Sequence, residues 1–198
     1  MNEFDLIQSY FNWEVTDPSV ELGVGDDAAL FTLNPGHQLV TSTDTLVEGV
    51  HFFKDASPRD IAYKSLAVNL SDIAAMGATA KCYTLSLTIP ELDKGWLKDF
   101  SSSLKESSKL FNVHLIGGDT TKGPLNISIN MMGSIEMNSP IKRSGAKDGD
   151  DIYVSGELGY AELCLKKIKK GEITLESDLN SLNRPIPRLE LGSALKNL

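Results

Sequence analysis

Oxygen-bearing side chains follow an apolar stretch near residue 40 of this 198-residue chain. Ser42, Thr43 and Asp44 come soon after the apolar residues 39–40, and His51 lies a few residues further on. A strand that ends in hydroxyls, a carboxylate and an imidazole is typical of a site and not of a core. Three further segments run from apolar residues or glycine into an aspartate, and these aspartates are Asp27, Asp72 and Asp119.

Four carboxylates in one partly desolvated cleft would repel one another. Magnesium removes this conflict, because it prefers carboxylate and hydroxyl oxygens and leaves coordination positions for substrate phosphates. Glycines at positions 25, 117 and 118 would let the backbone approach a polyphosphate closely. The sequence therefore predicts phosphoryl transfer from a nucleotide at a magnesium site, whose candidate ligands are Asp27, Ser42, Thr43, Asp44, Asp72 and Asp119.

Each aspartate also has a structural interpretation when it is taken alone. The pair Asp26-Asp27 after Gly25 is typical of a turn or a helix cap. Asp72 lies in a segment that is otherwise apolar or small, where a buried charge needs a partner. A salt bridge with Lys64 or Lys81 would supply that partner. These alternatives stay open from the residues alone.

The cationic candidates are equally ambiguous. His51 could donate a hydrogen bond to a substrate or be a structural imidazole. Arg143, in a polar loop, could clamp a phosphate or lie on the surface. The segment 23–28 matches G-x-G-x-x-A only loosely and continues as a strand, and the sequence has no G-x-x-x-x-G-K-[ST] motif. We therefore exclude a dinucleotide-binding fold and a P-loop ATPase.

Composition excludes further classes of protein. The formal charge of −8 argues against binding to nucleic acid, which relies on Lys and Arg at phosphates. No apolar run approaches the roughly 18 residues that span a bilayer, and the acidic start of the chain is unlike a secretory signal. We expect a cytoplasmic protein with neither a nucleic-acid nor a membrane partner. Cys82 and Cys164 are isolated in apolar segments, which predicts reduced core thiols.

Hydrophobic periodicity predicts alternating strands and helices. The predicted strands are 22–33, 38–43, 82–89, 113–116, 125–135 and 152–155. The predicted helices begin near Phe4, extend over 58–76 between a Ser57 cap and Gly77, cover 96–111 and 158–170, and begin once more at Pro187. The strands 82–89 and 125–135 offer more apolar surface than two helices cover, which predicts that a second copy of the chain packs there.

A change of composition divides the chain. Residues 138–150 are polar and contain Gly and Pro, which predicts a linker between residues 1–137 and 151–198. The last part is too short for a core of its own, because chains below roughly 40 to 60 residues are marginally stable. We therefore predict an α+β (mixed α/β) fold. A sheet-and-helix domain for metal, ATP and dimerisation is followed by the opening part of a second, incomplete α/β domain.

Several long motifs, in the same order, resemble those of thiamine-monophosphate kinase. This family belongs to the superfamily of aminoimidazole ribonucleotide synthetase and selenophosphate synthetase. The motifs are Gly25-Asp26-Asp27-Ala28-Ala29, the segments 42–52 and 67–78, Ile116-Gly117-Gly118-Asp119-Thr120-Thr121 and Arg143-Ser144-Gly145-Ala146. The resemblance implies the N-terminal fold of that superfamily. It also implies ATP-dependent phosphorylation of thiamine monophosphate to thiamine diphosphate, with magnesium.

By motif position, the resemblance implies roles for single residues. The metal ligands would be Asp27, Ser42, Thr43, Asp44, Asp72 and Asp119, and His51 would contact the substrate. The ATP contacts would be Gly117, Gly118, Asp119 and Arg143. No side chain would form a covalent intermediate, because positioning and bound metal would supply the catalysis. Family members are homodimers that pair through their N-terminal domains, which adds to the prediction of a second copy.

Two departures from the family pattern bear on activity. Ser101 stands where some relatives have a nucleotide-contacting tyrosine, and the second-domain motifs Asp-Ile-Ser-Asp-Gly and Gly-Gly-Glu-Asp do not occur in the sequence. We therefore expect slower turnover than in a longer chain. Selenophosphate synthetase is disfavoured because no cysteine precedes Cys82, and the purine enzyme because residues 45–48 are not glycine-rich. A non-catalytic metal- or nucleotide-binding fragment is the alternative from another class.

Overall fold

The architecture is a four-stranded sheet with helices on one face, followed by a helical C-terminal segment. The computed structural model describes residues 2–172 and 175–196. Its strands are β1 (Val20–Leu22), β2 (Leu30–Phe31), β3 (His37–Val47), β4 (Thr79–Ile89), β5 (His114–Lys122) and β6 (Asn126–Glu136). Its helices are α1 (Glu3–Tyr10), α2 (Pro58–Ala75), α3 (Lys94–Leu110), α4 (Tyr160–Lys169), α5 (Glu176–Asn183) and α6 (Leu189–Leu195). The predicted α+β class is confirmed.

The large sheet has the strand order β3-β6-β4-β5, so that β3 and β5 form its two edges. β6 pairs antiparallel with both β3 and β4, whereas β4 and β5 run parallel. Alternate residues of β4 and β6 pack under helices α1 to α3, and the largest of them are Tyr83, Leu85, Leu87, Ile127, Ile129 and Met131. Each side chain of this size stabilises the fold by about 1.5–3 kcal/mol when it is fully buried.

The opposite face of the sheet is polar. Asn130 Nδ2 donates hydrogen bonds to Thr43 Oγ1 at 2.6 Å and to Thr41 Oγ1 at 3.2 Å. Thr45 and Ser128 join their hydroxyls at 2.6 Å. The prediction that apolar sheet surface is left over for a second copy is therefore wrong. Alternation places the large apolar residues of β4 and β6 on the face that the helices bury and most of the polar residues on the other, where Leu39 and Met132 are exceptions.

Helix α2 begins and ends where the sequence predicts. Ser57 Oγ accepts a hydrogen bond from the amide of Arg59 at 3.3 Å, and Pro58 occupies the first helical position. Gly77 adopts a left-handed conformation with φ of +70°, which ends the helix. The predicted apolar stripe is buried and consists of Ile61, Ala62, Leu66, Leu70 and Ile73.

The strands predicted over 38–43 and 82–89 are longer in the structure, where they cover His37–Val47 and Thr79–Ile89. Three further predicted strands differ more. The strand predicted over 22–33 is two short strands, because the chain leaves the extended path at Gly25, where φ is +126°. The strand predicted over 113–116 continues to Lys122, since β4 pairs with it along that length. Residues 152–155 form no strand: Ile152 is 93% exposed, and no strand of the described residues lies beside it to pair with its backbone.

Within its described residues, the C-terminal part contains one helix that was not predicted. Residues 176–183 form α5 within a segment that we expected to be a polar loop, and α6 begins at Leu189 instead of Pro187. No helix within residues 2–172 and 175–196 is long and apolar enough to cross a membrane. The division into domains 1–137 and 151–198, joined by the linker 138–150, stays a prediction.

The C-terminal helices pack on α2. Gly192 of α6 lies directly against this helix, where a Cβ atom would overlap the carbonyl oxygen of Ala74. Arg184, which follows α5, donates from Nε to Asp60 Oδ1 at 2.7 Å. Its guanidinium also lies 5.4 Å from the centre of the Tyr63 ring, within range of a cation–π interaction. The first and last turns of α2 are therefore both held by the C-terminal segment.

Asp178 links α4 to α5. Its side chain is nearly buried, and Oδ1 accepts a hydrogen bond from the Tyr160 hydroxyl at 2.5 Å. Lys167 Nζ lies 3.4 Å from the other carboxylate oxygen. The hydrogen bond from Tyr160 holds the pKa of Asp178 below its ordinary value. The same bond raises the pKa of Tyr160 to about 12.

We expect Tyr160→Phe to lower the thermal midpoint of the chain at neutral pH. The depressed pKa of Asp178 means that its carboxylate stabilises the fold above the ordinary carboxyl pKa, and that this stability is lost as the pH falls through the folded pKa. The raised pKa of Tyr160 likewise contributes stability that is lost as the pH rises toward 12. The difference between the two proteins should therefore be largest near neutrality, as measured by circular dichroism. Tyr153→Phe, at an exposed tyrosine, is the control, and an equal shift in both variants would contradict the prediction.

Candidate functional site

The edge strand β3 and helix α2 bring two carboxylates together. Ser42 and Asp44 point to the same face of β3, since side chains alternate along a strand. Ser42 Oγ donates a hydrogen bond to Asp72 Oδ2 on α2 at 2.6 Å. The backbone amide of Asp44 donates to Oδ1 of Asn69, one helical turn before Asp72, at 3.0 Å. We call the oxygen-bearing side chains of Ser42, Asp44 and Asp72 the β3–α2 group.

The β3–α2 group carries excess negative charge. Burial and the neighbouring Asp72 raise the pKa of Asp44, and His51 opposes that rise. The salt bridges considered for Asp72 are not formed, because Lys64 Nζ donates to the carbonyl of His51 at 2.9 Å and Lys81 pairs with another aspartate. Two close carboxylates with hydroxyl support attract a proton or a cation.

His51 lies in the turn that follows β3. Its Nδ1 accepts a hydrogen bond from the amide of Val47 at 3.0 Å, which assigns the proton of the neutral ring to Nε2. Lys64 holds the carbonyl of the same residue, and burial lowers the pKa of this lysine. Both contacts fix the orientation of the imidazole, which suits a hydrogen bond from Nε2 to an anionic substrate.

A second group of site residues lines a cavity of about 300 Å³ at the β5 edge of the sheet. Asp27 approaches from the loop after β1, and β5 contributes Gly117, Gly118 and Asp119. One wall is apolar and comes from Phe4 and Ile7 of α1 and from Phe11, which follows this helix. A cavity with an apolar wall, exposed glycine backbone and carboxylates at its rim suits a nucleotide whose phosphates carry cations. We call its two carboxylates, Asp27 and Asp119, the β5-edge group.

The four aspartates form two groups in one copy of the chain, and not the single cage that the sequence suggests. β3 and β5 are separated by three strand spacings, or roughly 14 Å across the sheet. Within the described residues, no three carboxylate, thiol or imidazole side chains lie close enough to share one ion. Sheet order causes the separation. The metal-binding role of each residue stays a prediction.

Thr43 lies on the other face of the sheet. Its hydroxyl accepts the hydrogen bond from Asn130, whereas Ser42 and Asp44 face α2. The side-chain oxygen of Thr43 therefore points away from the β3–α2 group.

Arg143 lies beside the β3–α2 group and not beside the β5-edge group. Together with Ser42 and Asp72 it lines a cavity of about 470 Å³. The linker is held there because the amide of Ile141 donates to the carbonyl of Met76, at the end of α2, at 3.1 Å. The carboxylates would hold a cation, and a phosphate bound to that cation would lie within reach of the guanidinium of Arg143.

Two polar side chains shape the site although the sequence did not mark either as a site residue, and Lys64 was considered only as a salt-bridge partner of Asp72. Asn69 is fully buried on α2, and Lys64 reaches the turn of His51. The available signal for Asn69 is its position three residues before Asp72, which places both on one helix face. Ser101, where some relatives have a tyrosine, is nearly buried in α3, and its hydroxyl donates to the carbonyl of Lys98 at 3.2 Å.

Residues 25–135 match the family model described as AIR synthase related protein, N-terminal domain. This segment is more than half of the chain and includes the β3–α2 group and the β5-edge group. The chain belongs to the AIR synthase related family.

Within that family, the chain is similar to thiamine-monophosphate kinases. It is 48% identical to Thiamine-monophosphate kinase of Haemophilus influenzae, over 98% of this chain and 61% of that protein. The crystal structure of Thiamine-monophosphate kinase from Stenotrophomonas maltophilia K279a superposes with a TM-score of 0.84 at 42% identity, covering 91% of this chain and 60% of that one. AaThiL complexed with AMPPCP and TMP superposes with a TM-score of 0.76 at 28% identity, covering 98% and 61%. The chain thus spans about three fifths of the length of these relatives.

Proposed function

We propose that this chain carries the nucleotide- and metal-binding part of a thiamine-monophosphate kinase. The reaction transfers the γ-phosphoryl group of ATP to thiamine monophosphate and yields thiamine diphosphate. The observation that carries the proposal is the cavity lined by Gly118, Asp27 and Asp119. It occurs in a chain that is 48% identical to a thiamine-monophosphate kinase. The complex of AaThiL with AMPPCP and TMP supports ATP and thiamine monophosphate as the two substrates.

The donor atoms of both groups fit magnesium. Every candidate side chain offers carboxylate or hydroxyl oxygen, and Mg²⁺ is usually bound through one or two carboxylates, with water and substrate phosphates in the other positions. We propose that Asp27 and Asp119 hold magnesium at the β5 edge, and that Asp44, Asp72 and Ser42 hold it between β3 and α2. When bound, magnesium would neutralise charge that develops on the transferring phosphoryl group.

The residues of the chain would position the reactants. The backbone at Gly117 and Gly118 would admit the polyphosphate closely, and the apolar wall from α1 would cover the base. His51 would donate from Nε2 to the phosphate of thiamine monophosphate, and Arg143 would contact a phosphate. The acceptor is a phosphate that is already anionic at neutral pH, so positioning alone supplies much of the rate and no covalent intermediate is needed. A kinase that uses ATP and a coenzyme precursor is expected in the cytoplasm.

The direct test is formation of thiamine diphosphate from thiamine monophosphate, ATP and Mg²⁺, separated by chromatography and detected by thiochrome fluorescence. We expect product with this chain, slower than with a full-length relative such as that of Haemophilus influenzae. Asp119→Asn should abolish product and AMPPCP binding, because it removes half of the β5-edge group. Asp99→Asn, at an exposed aspartate of α3, is the matched control.

Nucleotide binding without product would favour a non-catalytic binding fragment. Absence of both binding and product would contradict the proposal. Equal loss in the Asp99→Asn control would show that the assay reports general charge and not the site.

We also propose a homodimer that packs through the polar face of the large sheet. That face presents hydroxyl and amide side chains from β3 and β6 on strands of 11 residues. The resemblance to thiamine-monophosphate kinases, which pair through their N-terminal domains, supports the proposal. Light scattering at micromolar concentration should give about twice the chain mass of 21.5 kDa. Ser128→Lys, in the centre of that face, should yield monomers, whereas Asn180→Lys on the exposed surface of α5 should not. A monomeric wild type would contradict the proposal.

A further inference from the structure

Asn69 is fully buried although its side chain is an amide. Its Nδ2 donates to the carbonyl of Ser65, one turn earlier on α2, at 3.0 Å. Its Oδ1 accepts the hydrogen bond from the backbone amide of Asp44 at 3.0 Å. Both ends of the amide are therefore satisfied, as a buried polar group requires. The side chain belongs to neither candidate ligand group, yet it contacts the backbone of one candidate ligand.

The contact lies at the edge of the sheet. Among residues 2–172 and 175–196, β3 pairs only with β6, so the backbone groups on its outer side face no other strand of the sheet. The amide of Asp44 is on that side, because its hydrogen bond goes to Asn69 and not to β6. Asn69 thus takes the place of a neighbouring strand at a single residue, and that residue carries a carboxylate of the β3–α2 group.

A second contact fixes the same strand. Ser42, two residues before Asp44, donates to Asp72, three residues after Asn69. Two residues of strand span about 6.6 Å and three residues of helix about 4.5 Å, so both contacts can lie on one line where the strand crosses the helix. Two anchoring points set both the distance and the direction of β3 relative to α2. They therefore set the separation of the carboxylates of Asp44 and Asp72.

We propose that Asn69 is a positioning residue that holds Asp44 at the separation from Asp72 at which both carboxylates bind one divalent cation. The inference rests on the proposed metal-binding role of this pair. Without the hydrogen bond that Asn69 accepts from Asp44, the bond from Ser42 to Asp72 is the remaining hydrogen bond between β3 and α2 among the described residues, beside apolar packing at Leu46. The carboxylates then sample several separations, and the cation must order them when it binds.

Asn69→Ser is the sharpest variant. A serine at this position can donate to the carbonyl of residue 65, as Ser65 does to Ile61 and Ser71 to Ala67 in the same helix. It is too short to reach β3, so the hydrogen bond from Asp44 is removed while the one to residue 65 is kept, and the shorter side chain leaves a small cavity. Ser65→Ala is the matched control, because it deletes a buried hydrogen bond of α2 that does not touch β3.

Two measurements on the 198-residue chain separate the contact from its consequence. Amide hydrogen exchange of Asp44, followed by nuclear magnetic resonance, reports the bond itself, and we expect exchange at least about 10-fold faster in Asn69→Ser. The affinity for Mn²⁺, followed by the electron paramagnetic resonance of the free ion, reports the consequence. We expect the Kd to rise about 10-fold, as is typical when a residue that orients a metal ligand is lost. Ser65→Ala should change neither quantity.

The outcomes are distinct. Unchanged exchange at Asp44, or unchanged Mn²⁺ affinity with faster exchange, would overturn the positioning role while the metal role stands. A wild type that takes up no Mn²⁺ would overturn the metal role and this inference with it. Equal losses in Asn69→Ser and Ser65→Ala would assign the effect to the stability of α2. If Asn69→Ser does not fold, Asn69→Leu, which keeps the number of side-chain heavy atoms and their branched shape, takes its place with the same expected results.

Discussion

Gly118→Ala is expected to destabilise the chain by roughly 2 to 4 kcal/mol, which combines backbone strain with overpacking. Gly118 pairs with Leu85 between the parallel strands β5 and β4 and adopts a φ of +152°. An added Cβ would overlap the carbonyl oxygen of Leu85, so the strands must separate. Urea denaturation followed by circular dichroism measures the loss. Nucleotide affinity should fall as well, because the same backbone lines the cavity beside Asp119.

Gly117→Ala is the matched control. A Cβ there would meet Thr84 Cγ2 at 3.9 Å, which is an ordinary van der Waals contact, and the backbone needs no positive φ. We expect a change of less than about 1 kcal/mol, since replacing glycine in an extended strand also restricts the unfolded chain. Equal effects of the two alanines would show that the close approach of β5 to β4 is not what constrains position 118.

Asp72→Asn is expected to weaken Mn²⁺ binding at the β3–α2 group by at least about 10-fold, because one of two charged ligands is lost. Asp44→Asn should do the same while the fold stays intact. The measurement is the electron paramagnetic resonance of free Mn²⁺. Asp99→Asn should leave the affinity unchanged. Normal affinity in both site variants would contradict the assignment of these carboxylates as metal ligands.

In metal-free buffer, Asp44→Asn should instead raise the midpoint of thermal denaturation. The pKa of Asp44 is raised by burial and by Asp72, so the folded state favours the protonated form. Stability from such a group is complete below the ordinary carboxyl pKa and is lost as the pH rises through the folded pKa. At neutral pH the free energy of unfolding of the variant should therefore exceed that of the wild type by up to about 1 kcal/mol, since the pair is partly exposed. This difference should disappear in acid. A gain that is independent of pH would contradict this cause.

The parts of the fold that depend on local sequence could be predicted. The limits of α2 follow from Ser57, Pro58 and Gly77, which act on their immediate neighbours, and the apolar alternation of β4 and β6 follows from the period of a strand. The break at Gly25 escaped the strand prediction because apolar residues on both sides, such as Leu22 and Leu30, outweighed the turn signal of Asp26-Asp27. The strand predicted over 152–155 has suitable residues, but a strand is stable only when a partner satisfies its backbone.

The candidate site was predicted as a set of residues and not as an arrangement. Each aspartate ends an apolar segment, and this local signal identified Asp27, Asp44, Asp72 and Asp119. Which of them are neighbours depends on sheet order, and the order β3-β6-β4-β5 joins segments that are far apart in sequence. The prediction of an apolar interface on the sheet was wrong for the same reason, because it also depends on tertiary arrangement. The residues alternate as predicted, but how many helices cover the apolar face is decided by tertiary packing.

The pairing of β3 with β6 has a consequence for how the chain is made. His37 pairs with Glu136 and Val47 with Asn126, so the partner of β3 is synthesised about 80 to 100 residues after it. At 5 to 20 residues per second, β3 waits roughly 4 to 20 s on the ribosome before its ladder can close. During that time its apolar residues are exposed on an unpaired strand, which is a template for association with other chains. The strand that carries Ser42 and Asp44 is therefore the strand of the large sheet that waits longest for a partner.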